Sequence, residues 1–232
     1  MVKRRFVTAV AVLAMVAGGL SAAGDAGADV IAATDSFPVI PGEYDAAPGA
    51  DGRTTYVIPG GGSYYVDSMT LTPSFSTVPQ PLPAPGTSFV ANSFFDVFLE
   101  LSTDQGSTWQ PLSFTSPPSQ IKITGAQANG DGSTDYPTEM LQLNLSATTS
   151  SGTYMLRESP TKQSLGRHTV TQDASGYRIS SFFDVFLELS TDGGASWVPA
   201  DRSMHVELTP EPATLSLLAL GGLGMLIRRK RS

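Results

Sequence analysis

A twelve-residue string, Ser93-Phe94-Phe95-Asp96-Val97-Phe98-Leu99-Glu100-Leu101-Ser102-Thr103-Asp104, recurs letter for letter at Ser181 to Asp192, 88 residues later. Across 93–111 and 181–199, fifteen of nineteen positions are identical, Trp109/Trp197 and Pro111/Pro199 among them. A fainter echo precedes each copy, with Gly62-Ser63-Tyr64 set against Gly152-Thr153-Tyr154. Whatever one copy forms the other must form too, so the chain contains two related units. Alternate residues separate cleanly within the repeat. Phe95, Val97, Leu99 and Leu101 point one way, and Phe94, Asp96, Phe98, Glu100 and Ser102 the other. One uniformly apolar face opposite a mixed one predicts a long strand with one side in the core. Phe183, Val185, Leu187 and Leu189 repeat the division. Six of the eleven phenylalanines and both tryptophans lie in the two copies, which are therefore the expected hydrophobic centres.

The rest of the chain reads the same way. Gly and Pro together number 40 of 232 residues, and hydrophobic types make up 41%, enough for a core but broken by many turns. Short strands are expected at 54–58, 64–71, 119–124, 139–145, 154–157, 167–171, 176–179 and 204–208, with a Pro-rich loop at 78–86. No segment of the body carries a helical period. The predicted fold is all-β: two related β-sandwich-like modules, residues 29–117 and 118–208, meeting near Thr115–Ser119, or one continuous sandwich.

The two ends are of different composition. Lys3-Arg4-Arg5 precede an apolar stretch to Leu20 and the small residues Ala26-Gly27-Ala28, the pattern of a secretory signal peptide over 1–28, cut before Asp29. At the other end, Pro210-Glu211-Pro212 leads into an apolar helix, 213–227, and the basic cluster Arg228, Arg229, Lys230 and Arg231. Such a cluster stays cytoplasmic while the helix sits in the inner membrane, which places the body outside. Residues 209–232 resemble the PEP-CTERM sorting signal. That resemblance implies passage through the secretion machinery, a transient stay in the inner membrane, and processing by an exosortase-type membrane enzyme. The body would then reach the envelope, the surface or the extracellular matrix.

Each repeated strand runs into a turn. Ser102, Asp104, Gly106 and Trp109 are matched by Ser190, Asp192, Gly194 and Trp197. The spacing suits a tight turn in which Asp accepts backbone N–H bonds, Gly takes positive φ and Trp folds back on the hairpin. It resembles the Asp box of sialidases and other β-propellers, which implies a structural role away from any chemistry. Residues 135–208 also resemble the body of uncharacterised exported PEP-CTERM proteins, a resemblance that implies no activity.

Candidate chemistry is sparse. With no cysteine and only His168 and His205, disulfides, thiolate metal sites and multi-histidine centres are ruled out, and no cofactor is expected. The body between Asp29 and Thr209 carries 19 acidic and 7 basic residues, a balance that repels nucleic acid. No Gly-x-Ser-x-Gly elbow offers a serine nucleophile to either histidine; His205 reads as a solvent-facing strand residue and His168 as part of a hairpin. Asp96, Glu100, Asp184 and Glu188 could supply a glycan hydrolase only by pairing across the modules; as strand-face acids they are expected to be solvated. Asn129 to Asp135 packs oxygen ligands loosely like a calcium loop but reads better as an Asx-rich turn. Tyr64, Tyr65, Tyr136 and Tyr177 are candidate platforms for stacking on extracellular polysaccharide. The expected protein is an exported, non-enzymatic structural or interaction component of the cell surface, with a carbohydrate-binding module as the alternative.

Overall fold

The computed structural model describes residues 30–32, 42–46, 52–76, 82–115, 117–173 and 176–209. The expected signal peptide, Pro210 to Pro212, the apolar helix 213–227 and the basic cluster 228–231 lie outside them. The described residues form strands and no α-helix, as the missing helical period predicts. The first half holds β1 (Val30–Ala32), β2 (Glu43–Ala46), β3 (Thr54–Val57), β4 (Ser63–Ser76), β5 (Ser88–Ser102), β6 (Gln110–Phe114), β7 (Pro118–Thr124) and β8 (Gln127–Ala128). The second holds β9 (Ser133–Thr149), β10 (Gly152–Glu158), β11 (Ser164–Asp173), β12 (Gly176–Val185), β13 (Leu187–Ser190), β14 (Val198–Pro199) and β15 (Met204–Thr209).

Eight of these strands pair antiparallel in chain order, and the circuit closes. β2 pairs with β4, then β5, β7, β9, β11, β12 and β15 follow, and β15 returns to β2. The curled sheet is thus a meander whose last strand bonds its first, which gives each strand of this circuit a paired neighbour on both sides over part of its length. It joins two four-strand halves. β2–β4–β5–β7 matches β9–β11–β12–β15, and the seams β7–β9 and β15–β2 are equivalent.

The repeat explains the match. In the first copy Leu101 pairs with Gln110 and Glu100 with Pro111; in the second Leu189 pairs with Val198 and Glu188 with Pro199. Beyond the eight-strand circuit the long strands run on into side ladders, β3–β4–β5–β6 in one half and β9–β10–β13–β14 in the other. Each half bends at the same level by a different device. β4 has a register shift between Asp67 and Thr70, with Ser68 at φ 55°, a bulge that turns the strand. In the second half the bend is a break: the Phe186 N–H donates to Ser164 Oγ and its carbonyl accepts from the Ser159 N–H. This ends β12 and starts β13, so the single strand expected over 181–190 is two.

Prolines inside strands fall where a donor is dispensable. Pro73 adjoins a second register shift of β4. Pro137 lies within β9, opposite Arg167 of β11 on one edge and, on the other, between the residues paired with β8 and those paired with β7.

The alternation holds as predicted. Phe95, Val97, Leu99 and Leu101 are buried, as are Phe183, Val185, Leu187 and Leu189. Tyr44 of β2 packs against both Phe95 and Phe183, with ring centroids 6.3 and 5.7 Å apart, so the two copies meet on one ring. The hydrophobic centre is narrower than expected, however. Phe98 is 40% exposed, Phe182 and Phe186 are half-buried, and both tryptophans sit half-buried at the turns. The buried positions are mostly apolar, with Thr54, Ser93, Ser164 and His168 as fully buried polar exceptions.

Candidate functional site

The two turns are built alike, atom for atom. Ser102 Oγ donates to Asp104 Oδ1 (2.8 Å) and accepts from the Gly106 N–H (2.8 Å). Asp104 Oδ1 also accepts from the Thr108 N–H (2.8 Å), and Oδ2 from its hydroxyl (2.7 Å). Ser190, Asp192, Gly194 and Ser196 repeat the set at 2.8, 2.8, 2.9 and 2.5 Å. Gly106 and Gly194 take φ of 86° and 93°, a region that side chains with a Cβ avoid. Trp197 Nε1 donates to the Gly194 carbonyl at 3.1 Å. Bonds from Thr108, backbone first, hold the Asp104 carboxyl below its usual range. Those from Ser196, hydroxyl first, hold Asp192 down at about 2. Both carboxylates are consumed in shaping the turn.

An arginine covers each tryptophan, a pairing that the spacing of the turn residues did not foretell. The Arg53 guanidinium lies 5.0 Å from the Trp109 ring centroid and bonds Asp67 at 2.6 Å. Arg157 lies 4.1 Å from that of Trp197 and bonds Glu188 at 2.7 Å. Tyr64 and Tyr154, the tyrosines of the fainter echo, pack edge to face across the two halves at 6.4 Å. That echo was the one sequence signal for the contact.

Several sequence expectations change here. Glu188 is buried at 6% exposure: it accepts from Arg157 Nε and Nη2 and from the Ser159 hydroxyl, because the β10 side ladder covers that face. Asp96 is exposed as expected, while Glu100 and Asp184 are half-buried. His168 lies in the β11–β12 hairpin as expected, opposite Ser181, and is fully buried. His205 is half-buried rather than solvent-facing, and its Nδ1 lies 2.8 Å from Asp184 Oδ1. The four candidate tyrosines are half-buried and separately engaged. Tyr64 meets Tyr154, Tyr65 lies under Arg53, Tyr136 meets His168, and Tyr177 packs on the core. In the loop at 129–135, Asp131 Oδ1 accepts from the Ser133 N–H and hydroxyl, the bonding of an Asx turn.

One open cleft, about 470 Å³, is lined by Asp184, Arg202, Ser203 and His205. It lies where the chain crosses from β14 to β15, beside the outward face of β12. The Phe182 ring rests on His205 with centroids 5.3 Å apart. Chemically the cleft offers hydrogen-bond donors and acceptors of both charges.

Residues 208–231 match the PEP-CTERM protein-sorting motif. The match begins inside β15, one residue before the last described position. It implies export, a C-terminal membrane-transit signal and processing by an exosortase-type membrane enzyme. No curated protein and no solved structure matches the chain.

Proposed function

We propose that this protein is a non-catalytic structural or interaction component of the cell surface or extracellular matrix, released to its place by removal of the C-terminal signal. The observation that carries the reading is the sorting motif at residues 208–231, attached directly to the last strand of the barrel. Three features support a scaffold role. The carboxylates of the two turns are spent on backbone and hydroxyl donors. Glu188, the most buried of the candidate acids, is neutralised by Arg157. Each strand of the eight-strand circuit has a paired neighbour on both sides over part of its length, which limits uncontrolled pairing. The turn residues Ser102, Asp104, Gly106, Trp109, Ser190, Asp192, Gly194 and Trp197 then hold the hairpins in shape.

Mass spectrometry of the protein recovered from envelope and medium tests this reading. The expected mature chain begins at Asp29 and lacks residues 213–232. Recovery with the apolar helix intact would make it a plainly anchored protein.

A saccharide-binding role is favoured by one observation, the cleft at Asp184, Arg202, Ser203 and His205. Titrating neutral and acidic oligosaccharides against the His205 ring resonances tests it, and unmoved resonances would dismiss it.

A further inference from the structure

The chain has three asparagines, Asn92, Asn129 and Asn144, and all three are exposed. Asn92 lies in β5 opposite Gln120, and Asn144 in β9 opposite Arg157. The nitrogen that follows each belongs to a paired strand, on a residue whose side chain is buried, Ser93 or Leu145. Asn129 differs on both counts. It opens the exposed turn between β8 and β9, and the residue after it is Gly130.

That turn is built around Asn129. Its N–H donates to the Ser133 carbonyl at 2.8 Å, and its carbonyl accepts from the Gly132 N–H at 3.3 Å. Its Nδ2 donates to Ser133 Oγ at 2.9 Å, and its side chain also bonds the Asp135 carboxylate. Among the described residues nothing accepts from the Gly130 N–H, and a Cβ at 130 would meet nothing within 4 Å. The backbone nitrogen beside the Asn129 side chain is thus uncommitted and uncrowded, and glycine adds the freedom to swing it toward that side chain.

We propose that Asn129-Gly130 is a self-modifying site, at which the Gly130 nitrogen attacks the Asn129 side-chain carbonyl carbon and closes a succinimide ring. The bond from Gly130 N to Cγ forms, the bond from Cγ to Nδ2 breaks, and Nδ2 leaves as ammonia with the proton that Gly130 gives up. Water then opens the ring at either carbonyl, leaving aspartate or isoaspartate. The adjacent Asp131-Gly132 pair stays silent. Asp131 Oδ1 accepts from the Ser133 N–H and hydroxyl, which keeps that carboxyl ionised and a poor electrophile, and the Gly132 N–H is already bonded to the Asn129 carbonyl. Conversion alters the turn. A carboxylate at 129 has no N–H to offer Ser133 or Asp135, and it adds a negative charge beside Asp131 and Asp135. Since this turn joins the two halves, ageing loosens the start of β9 while leaving both seams intact. The chemistry is independent of where the protein is sorted.

The test incubates the folded full-length chain at neutral pH and follows its peptides by mass spectrometry, with fragmentation that separates isoaspartate from aspartate. Amide-to-acid conversion at Asn129 is expected to outrun that at Asn92 and Asn144 by an order of magnitude, with isoaspartate the larger product and Asp131 unchanged. Gly130→Ala fits the open space at 130 and is expected to slow conversion several-fold. Hydrogen exchange at Ser133 and Thr134 is expected to quicken as conversion proceeds. Equal rates at the three asparagines, isomerisation of Asp131 as fast as conversion of Asn129, or an unchanged rate in Gly130→Ala overturns the proposal. Should that variant misfold, the wild-type products decide: direct hydrolysis yields aspartate alone, which would rule out the ring.

Discussion

His168 sits midway along β11 with its ring inside the barrel, against Tyr136 of β9. Burial lowers its pKa from 6.5 to about 3. Below pH 6.5 the unfolded chain binds a proton that the native ring refuses, so stability falls on acidification from 6.5 to about 3, by roughly 1.4 kcal/mol per pH unit. Glu158 acts in the opposite sense. Desolvation raises its pKa from 4.5 to about 7, with Glu139 and Glu188 adding to the rise and a hydrogen bond from Ser164 opposing it. The native carboxyl keeps a proton that the unfolded chain releases, so its contribution is full below pH 4.5 and is lost as pH climbs to about 7. Between 4.5 and 6.5 the two slopes oppose each other. Replacing His168 with Leu should unmask Glu158, and stability should then rise on acidification from pH 7 to 4.5. Glu158→Gln should steepen the loss below 6.5. Denaturant midpoints at successive pH values read both effects, and identical profiles for wild type and His168→Leu would clear the histidine.

Among the elements, glycine does two different jobs that substitution can separate. At Gly194 the demand is conformational: φ is 93°, and an added Cβ would meet only Met155 and Trp197 at ordinary contact distance. Gly194→Ala should cost about 1–2 kcal/mol, the strain of a left-handed residue. At Gly166, mid-strand in β11, an added Cβ would fall on the Phe182 carbonyl oxygen and crowd Phe183 and Thr138. Gly166→Ala should therefore cost clearly more than Gly194→Ala in the same thermal or denaturant experiment, and equal costs would contradict the close approach of β12 to β11. The turn carboxylates make a third case. Asp104→Ala and Asp192→Ala should each lower the melting temperature. The wild-type contribution of Asp192 should disappear as pH falls through 3.8 toward about 2, since its bonds hold that carboxyl low.

Local pattern carried the sequence reading at this scale. Period-two alternation identified the inward face of β5 and of its copy, and the Ser, Asp, Gly, Trp spacing identified the turns, because both depend on neighbours in the chain. Partners distant in sequence were not legible. Nothing near Glu188 signals that β10 will cover it with Arg157. Gly166-Arg167 does lie in a hairpin, β11 with β12, but nothing near it signals that β9 takes its other edge. The bulge at Ser68 and the break at Phe186 answer the same bend, which only closure of the sheet imposes.

At the level of the whole molecule, the closed circuit makes each half dependent on the other. One half ends in β2 and β7, the other in β9 and β15, and each would present two unpaired edges if isolated. The seams β7–β9 and β15–β2 cover all four. Rings cross the interface too, Tyr44 against Phe183 and Tyr64 against Tyr154. The halves are covalently joined through the exposed turn 129–132, which makes no contribution to either seam. A protease site inserted after Gly130 should thus be cleavable without separating the fragments. They are expected to co-elute at the size of the intact chain in native buffer, to keep the His168-dependent pH profile, and to part only in denaturant. Two self-sufficient modules would behave otherwise, each fragment running alone and melting on its own. Release of either fragment in native buffer would mean that the seams are too weak to unite the halves, and that the curled sheet is held by its connection rather than by its edges.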